Sequence, residues 1–157
     1  EELPNIVLYD KPIHESSMPG VYTACNCFTL ISRGEGTGLP YLEAASCGLT
    51  VIGSNCTGQT DFLNKDNSYL VEPDSYVRAE TNGYLSKMAN ISRFYEGQKF
   101  PDYSDSGIEQ TKKLMRYVFE NYDETGEKTD RLTKHVRENY TWENSMDKIY
   151  NRIMELQ

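Results

Sequence analysis

Apolar residues cluster in short runs along the first seventy positions and spread into helical spacing near the end of the chain. Asn5-Ile6-Val7-Leu8-Tyr9-Asp10 is an apolar run between turn-forming residues and predicts a buried strand. Lys11-Pro12-Ile13-His14 reads as a loop. Ser16 or Ser17 is placed to cap a helix with Pro19 in its first turn, ending near Ala24. Cys27-Phe28-Thr29-Leu30-Ile31 predicts a second strand. A helix follows from Pro40 to Cys47, with Gly48 placed to end it. Thr50-Val51-Ile52-Gly53 predicts a third strand, Gly58–Leu63 a short helix, and Tyr69-Leu70-Val71 a fourth strand. Strands alternating with helices over this span predict a parallel α/β sheet.

From Glu72 to Ser104 the pattern weakens, and Tyr76, Tyr84, Phe94, Tyr95, Phe100 and Tyr103 alternate with polar residues. A long, partly ordered excursion is expected there, with a helix near Leu85–Phe94. Three amphipathic helices are expected after it. Ser106-Gly107-Ile108-Glu109 matches a capping box, and Ile108, Leu114, Met115, Val118 and Phe119 form an apolar stripe behind it. A second helix is expected from about Glu124 to Glu138. Thr141 is placed to cap a third, in which Trp142, Met146, Ile149, Ile153 and Leu156 recur at helical spacing; Trp142 is read as a packing residue. The chain thus divides into a sheet-bearing part, residues 1–104, and a helical part, 105–157, packed on the same domain.

The net charge of −8 argues against a nucleic-acid partner, which would require a basic face. No apolar run reaches membrane-spanning length, and the first residues lack the features of a signal peptide. Cys25, Cys27, Cys47 and Cys56 have no metal-ligand spacing and are read as reduced, mostly buried thiols of a cytoplasmic protein.

The chemistry concentrates in Ser32-Arg33-Gly34-Glu35-Gly36-Thr37-Gly38-Leu39-Pro40-Tyr41-Leu42-Glu43. The glycines let backbone N–H groups approach a ligand, and the helix start at Pro40 offers unsatisfied donors to an anion. Glu35 and Glu43 repel phosphate and suit hydroxyl groups. A ligand with phosphate in its middle and polyols at both ends meets these demands, which describes a nucleotide-sugar. In parallel sheets ligands sit at the carboxyl ends of strands. The loops Asp10–His14, Ile31–Leu39 and Ser54–Gly58 are therefore expected to converge, with Lys11 and Ile13 near the base and Arg33 adding positive charge.

The stretch from Asn26 to Phe62 resembles the donor-binding half of GT-B glycosyltransferases, specifically the retaining family 4 (group 1). The resemblance rests on Glu35-Gly36-Thr37-Gly38-Leu39-Pro40, the second glutamate Glu43, Ala44-Ala45, Cys47-Gly48, and the strand Val51-Ile52. Gly58-Gln59-Thr60-Asp61-Phe62 and the tail from Leu114 to Glu143 also look like this family. Thr37 departs from it, standing where the family usually has an aromatic residue. The resemblance implies an α/β fold: a Rossmann-like parallel sheet with its first strand-helix unit missing, followed by a C-terminal helical tail. It implies that Glu35 is the catalytic-site residue contacting the donor sugar. It further implies that Gly36, Thr37, Gly38 and Leu39 offer amides to the diphosphate and that Glu43 binds ribose hydroxyls. The parent enzyme would transfer a sugar from an NDP-sugar, of UDP or GDP type, without metal or other cofactor. The acceptor-binding N-terminal domain and the cationic diphosphate contacts would lie outside this chain, leaving it inactive alone. Any peripheral membrane contact would reside in that missing half. A non-catalytic nucleotide-sugar-binding or scaffold module and a GT-B-like sugar-nucleotide epimerase stand as alternatives.

Overall fold

The computed structural model describes residues 5–78 and 97–156. Its centre is a three-stranded parallel sheet in the order β1 (Cys27–Leu30), β2 (Thr50–Ser54), β3 (Tyr69–Val71). The register sets Phe28 beside Val51 and Leu30 beside Gly53, and it sets Ile52 beside Tyr69. Every residue of β2 is buried, as expected of a central parallel strand covered on both faces. The α/β architecture expected from the chain is the one observed.

Helix α1 (Met18–Thr23) leads into β1, and α2 (Leu39–Ser46) connects β1 to β2. A 3₁₀ turn over Glu15–Ser17 leads into α1, capped at its start by the His14 ring, whose Nδ1 accepts from Ser16 N. The expected short helix after β2 is a 3₁₀ turn, Thr57–Asp61. An antiparallel ribbon, β4 (Ser75–Arg78) with β5 (Lys99–Asp102), follows β3. This ribbon replaces irregular chain at both ends of the expected excursion; the helix expected near Leu85–Phe94 lies outside the described residues. Three helices complete the chain: α3 (Asp105–Glu120), α4 (Gly126–Asn139) and α5 (Trp142–Glu155).

The core is continuous across the sheet and α4. Tyr41, Ala45, Val51, Phe62, Leu63, Leu132 and Val136 form one buried cluster. Helix α4 is also fastened by polar contacts. Thr50 Oγ1 lies 3.0 Å from Thr125 Oγ1 and 2.8 Å from Thr129 Oγ1, beneath the helix start. At its far end Arg137 donates from Nε and Nη2 to the Ser46 carbonyl at 2.9 and 2.6 Å, closing over the C-terminus of α2. Between them Arg131 Nε donates to Asp66 O at 2.9 Å, and Lys128 Nζ donates to the carbonyls of Lys65 and Ser68.

Five expectations are corrected. Residues 5–10 form no strand: Ile6, Val7 and Leu8 are exposed, Val7 at 89%. An apolar run becomes a strand only against a neighbour, and among the described residues β1 pairs with β2 alone. The capping box at Ser106 is not used. Asp74 caps α3 instead, its Oδ2 accepting from Ser104 Oγ at 3.0 Å and Gly107 N at 3.3 Å. The apolar stripe of α3 is rotated partly outward: Leu114 and Val118 pack inward, while Ile108, Met115 and Phe119 are exposed. The helix buries Gly107 and Val118 and half-buries Thr111 and Leu114. Gln110 fixes that rotation by bonding both backbone groups of Glu72, at 3.1 and 3.2 Å. Trp142 does not pack: it is 84% exposed, and no residue of α5 is buried, although Thr141 caps the helix as expected by accepting from Asn144 N. The thiols are all free, but only Cys56 is buried; Cys27 and Cys47 are half-buried and Cys25 is exposed.

Two consequences can be measured. Leu132→Ala removes a fully buried side chain from the central cluster and is expected to cost about 2–5 kcal/mol in urea denaturation. Asp74 is exposed, and the slight loss of hydration beside α3 would alone raise its pKa. The hydrogen bonds from Ser104, Gly107 and Ser106 outweigh this and hold the carboxyl below its ordinary value of 3.8. A depressed folded-state value adds stability above the unfolded pKa and loses it as pH falls. The stability deficit of Asp74→Asn at neutral pH should therefore shrink below pH 3.8 and vanish once the carboxyl is protonated in both states.

Candidate functional site

The site is built where β1 and β2 end. Beyond β1, the glycine loop turns back on the chain that leaves β2. Glu35 N donates to Thr57 Oγ1 at 3.0 Å, and Gly58 N returns a bond to Glu35 O at 3.2 Å. Deeper in, Ser32 Oγ lies 3.4 Å from Ser54 Oγ, and Cys56 Sγ lies 3.6 Å from Ser32 O. The two loops are so close that a Cβ on Gly58 would stand 1.9 Å from Gly36 O, so glycine is required there.

Buried Gln59 holds the second loop. Its Nε2 donates to Ser54 O at 3.1 Å and Ser54 Oγ at 2.8 Å, while its Oε1 accepts from Thr57 Oγ1 at 3.1 Å. Tyr41 holds the first. Its ring is fully buried, lies against Gly38 and Gly53, and meets Phe28 edge-on at 5.6 Å. Its hydroxyl donates to Leu30 O at 2.5 Å, at the last residue of β1. Gly38 precedes α2 with φ +83°, the left-handed region that glycine adopts without strain. A Cβ there would also meet the Tyr41 ring at 2.8 Å.

The loop leaves donors free. Tyr41 N and Leu42 N bond back to Gly38 O, at 3.0 and 3.4 Å. Among the described residues, the backbone N–H groups of Gly36, Thr37, Gly38 and Leu39 have no internal acceptor. These four successive donors sit at the positive end of the α2 macrodipole. Pro40, in the first turn, has no N–H to leave unpaired.

The carboxylates flank that row. Glu35 is half-buried, and among the described residues no hydrogen bond or ion pair engages its carboxylate. Glu43 is exposed one turn into α2, and its Oε2 accepts a 2.8 Å bond from the Tyr22 hydroxyl of α1. Burial raises the Tyr22 phenol well above its ordinary pKa, and the hydrogen bond and negative charge of Glu43 raise it further, so it remains a donor at physiological pH.

Other expected members stand apart. Arg33 donates from Nε to Pro101 O at 2.8 Å and joins Ile31, Tyr103, Gly107 and Lys112 in lining an open cleft of about 500 Å³ beneath the ribbon. Lys11 is exposed and Ile13 half-buried in the segment before α1. Among the described residues, no hydrogen bond or ion pair links either to the glycine loop. Only two of the three loops are therefore bonded to one another. Sequence reasoning assigned no role to Tyr22, Tyr41, Thr57 or Gln59. Gly53, an isolated glycine inside a strand, signals the close approach that Tyr41 makes.

The family model for glycosyl transferases group 1 matches residues 2–87, a span that contains both loops and both carboxylates. The chain belongs to the group 1 glycosyl transferases. It is also similar to the O-antigen chain mannosyltransferase B of Escherichia coli, 36% identical over 62 residues. That match takes in 40% of this chain and 16% of the mannosyltransferase. No helix among the described residues is long and apolar enough to cross a membrane.

Gly58→Ala should disrupt the loop pair and lower the melting temperature sharply, because the new methyl group would overlap Gly36 O. Gly36→Ala, with nothing within 4 Å of its Cβ, should melt close to the unsubstituted chain. Calorimetry on the two variants checks the contrast.

Proposed function

We propose that this chain is the donor-binding part of an enzyme that transfers a sugar from a nucleotide-sugar to an acceptor, with retention of configuration. One observation carries the reading: four unpaired backbone N–H groups, Gly36 to Leu39, lie in a row between two carboxylates at the head of α2. The donors and the helix dipole suit the diphosphate of an NDP-sugar and stabilise the charge it gains on leaving. Glu35 is the residue at the transferred sugar and accepts from its hydroxyls. Glu43 accepts from the ribose hydroxyls at the other end of the ligand.

In this reading the two glutamates bind polyols rather than work as a hydrolytic acid and base. They serve opposite ends of the donor, whereas a glycosidase pair flanks one bond. Negative charge at the rim is compatible with an anionic ligand, because the diphosphate meets the amides and not the acids. The acceptor site belongs to a partner domain of the whole enzyme, the remaining cationic diphosphate contacts lie outside this chain, and this chain alone binds nucleotide weakly without transferring sugar. The similarity to a mannosyltransferase favours a hexose as the transferred group. Lys11 and Ile13 would flank the base, and Arg33 would act through the ribbon it holds.

Glu35→Gln in the whole enzyme should lower turnover about a hundredfold or more, the size of losing one transition-state contact. Steady-state kinetics with the native donor checks it, and unchanged turnover would remove Glu35 from the site.

A further inference from the structure

We infer that Tyr22 is a positioning residue that holds the Glu43 carboxylate ready for the ribose diol. The inference rests on the proposed role of Glu43 and goes beyond it by adding a residue from a different helix.

Glu43 is an exposed side chain on a helix surface, free to sample several rotamers unless something holds it. Tyr22 holds it. The tyrosine ring is buried at the end of α1, where it packs with Ala44 and Leu49 and meets Phe28 edge-on at 6.1 Å. Its hydroxyl is thereby fixed in space, and it bonds one oxygen of the carboxylate, Oε2, at 2.8 Å. Among the described residues no other group bonds that carboxylate. Oε1 and the remaining lone pair of Oε2 are left for substrate hydroxyls. Because the ring is anchored by packing and not by the ligand, the ordering cost is met in the free protein, which favours binding. A phenol is well suited to this role: it donates a hydrogen bond without adding a positive charge that would neutralise the acceptor.

The test is a binding cycle on the chain itself. UDP, GDP and ADP are titrated calorimetrically, and the tightest is compared with its 2′,3′-dideoxy form. Tyr22→Phe removes one oxygen and leaves the packed ring. It is expected to weaken the ribonucleotide about three- to tenfold, the size of one hydrogen bond, and to leave the dideoxynucleotide unchanged. In the Glu43→Gln background the same substitution should have little further effect. Equal weakening of both ligands, or no weakening of the ribonucleotide while Glu43→Gln does weaken it, would overturn the positioning role alone. A ribonucleotide indifferent to Glu43→Gln, or no binding of any of the three nucleotides, would overturn the reading of the site and the inference with it.

Discussion

Tyr41 is the constraint on which the site depends. It belongs to the first turn of α2, yet its hydroxyl bonds the last carbonyl of β1 and its ring lies along Gly53 of β2. One side chain therefore sets the distance and angle between two strand ends and the helix that leaves them. The loop from Ile31 to Leu39 has little choice of path once both of its ends are fixed. A buried hydroxyl without a partner would cost more than its bond gains, so the Leu30 carbonyl specifies where the ring sits as well as stabilising it. Gln59 performs the matching task for the second loop with amide chemistry, and the bonds between Glu35 and Thr57–Gly58 join the two halves.

The side chains that shape the loops, Tyr41 and Gln59, are buried and hydrogen-bonded, whereas the backbone N–H groups of Gly36 to Leu39 have no partner among the described residues. In the proposed reading, a chain with net charge −8 presents a local anion site in this way. The site draws on backbone dipoles, whose contribution does not appear in a count of lysines and arginines.

The parallel sheet was legible because Cys27–Ile31, Thr50–Gly53 and Tyr69–Val71 are short apolar runs with helices between them, and central strands need no alternation. The helix beginning at Pro40 was legible from its proline and its terminal glycine. Three kinds of information were not. The Asn5–Asp10 run carries a strand composition, but pairing is a property of the neighbour. The rotation of α3 is set by Gln110 reaching Glu72 across 38 residues, which no local spacing records. The cap on α3 comes from Asp74, before the ribbon, whereas a capping box is sought among adjacent residues. At the site, the glycine loop and both glutamates stood out in the sequence. The tyrosines that position them did not, because a buried aromatic residue looks the same whether it fills space or aims a carboxylate.

The cluster around Tyr41 includes Leu132 and Val136 of α4, and Arg137 closes over the end of α2. These partners enter the chain some ninety positions after the loop they support. While the polypeptide is being made, the segment that carries Glu35 and Glu43 emerges long before its backing exists. Contacts so distant along the chain are slow to form and leave apolar surface uncovered in the interval. The glycine loop is thus among the last features to set during synthesis, and a nascent chain stalled before α4 would hold that turn still unshaped.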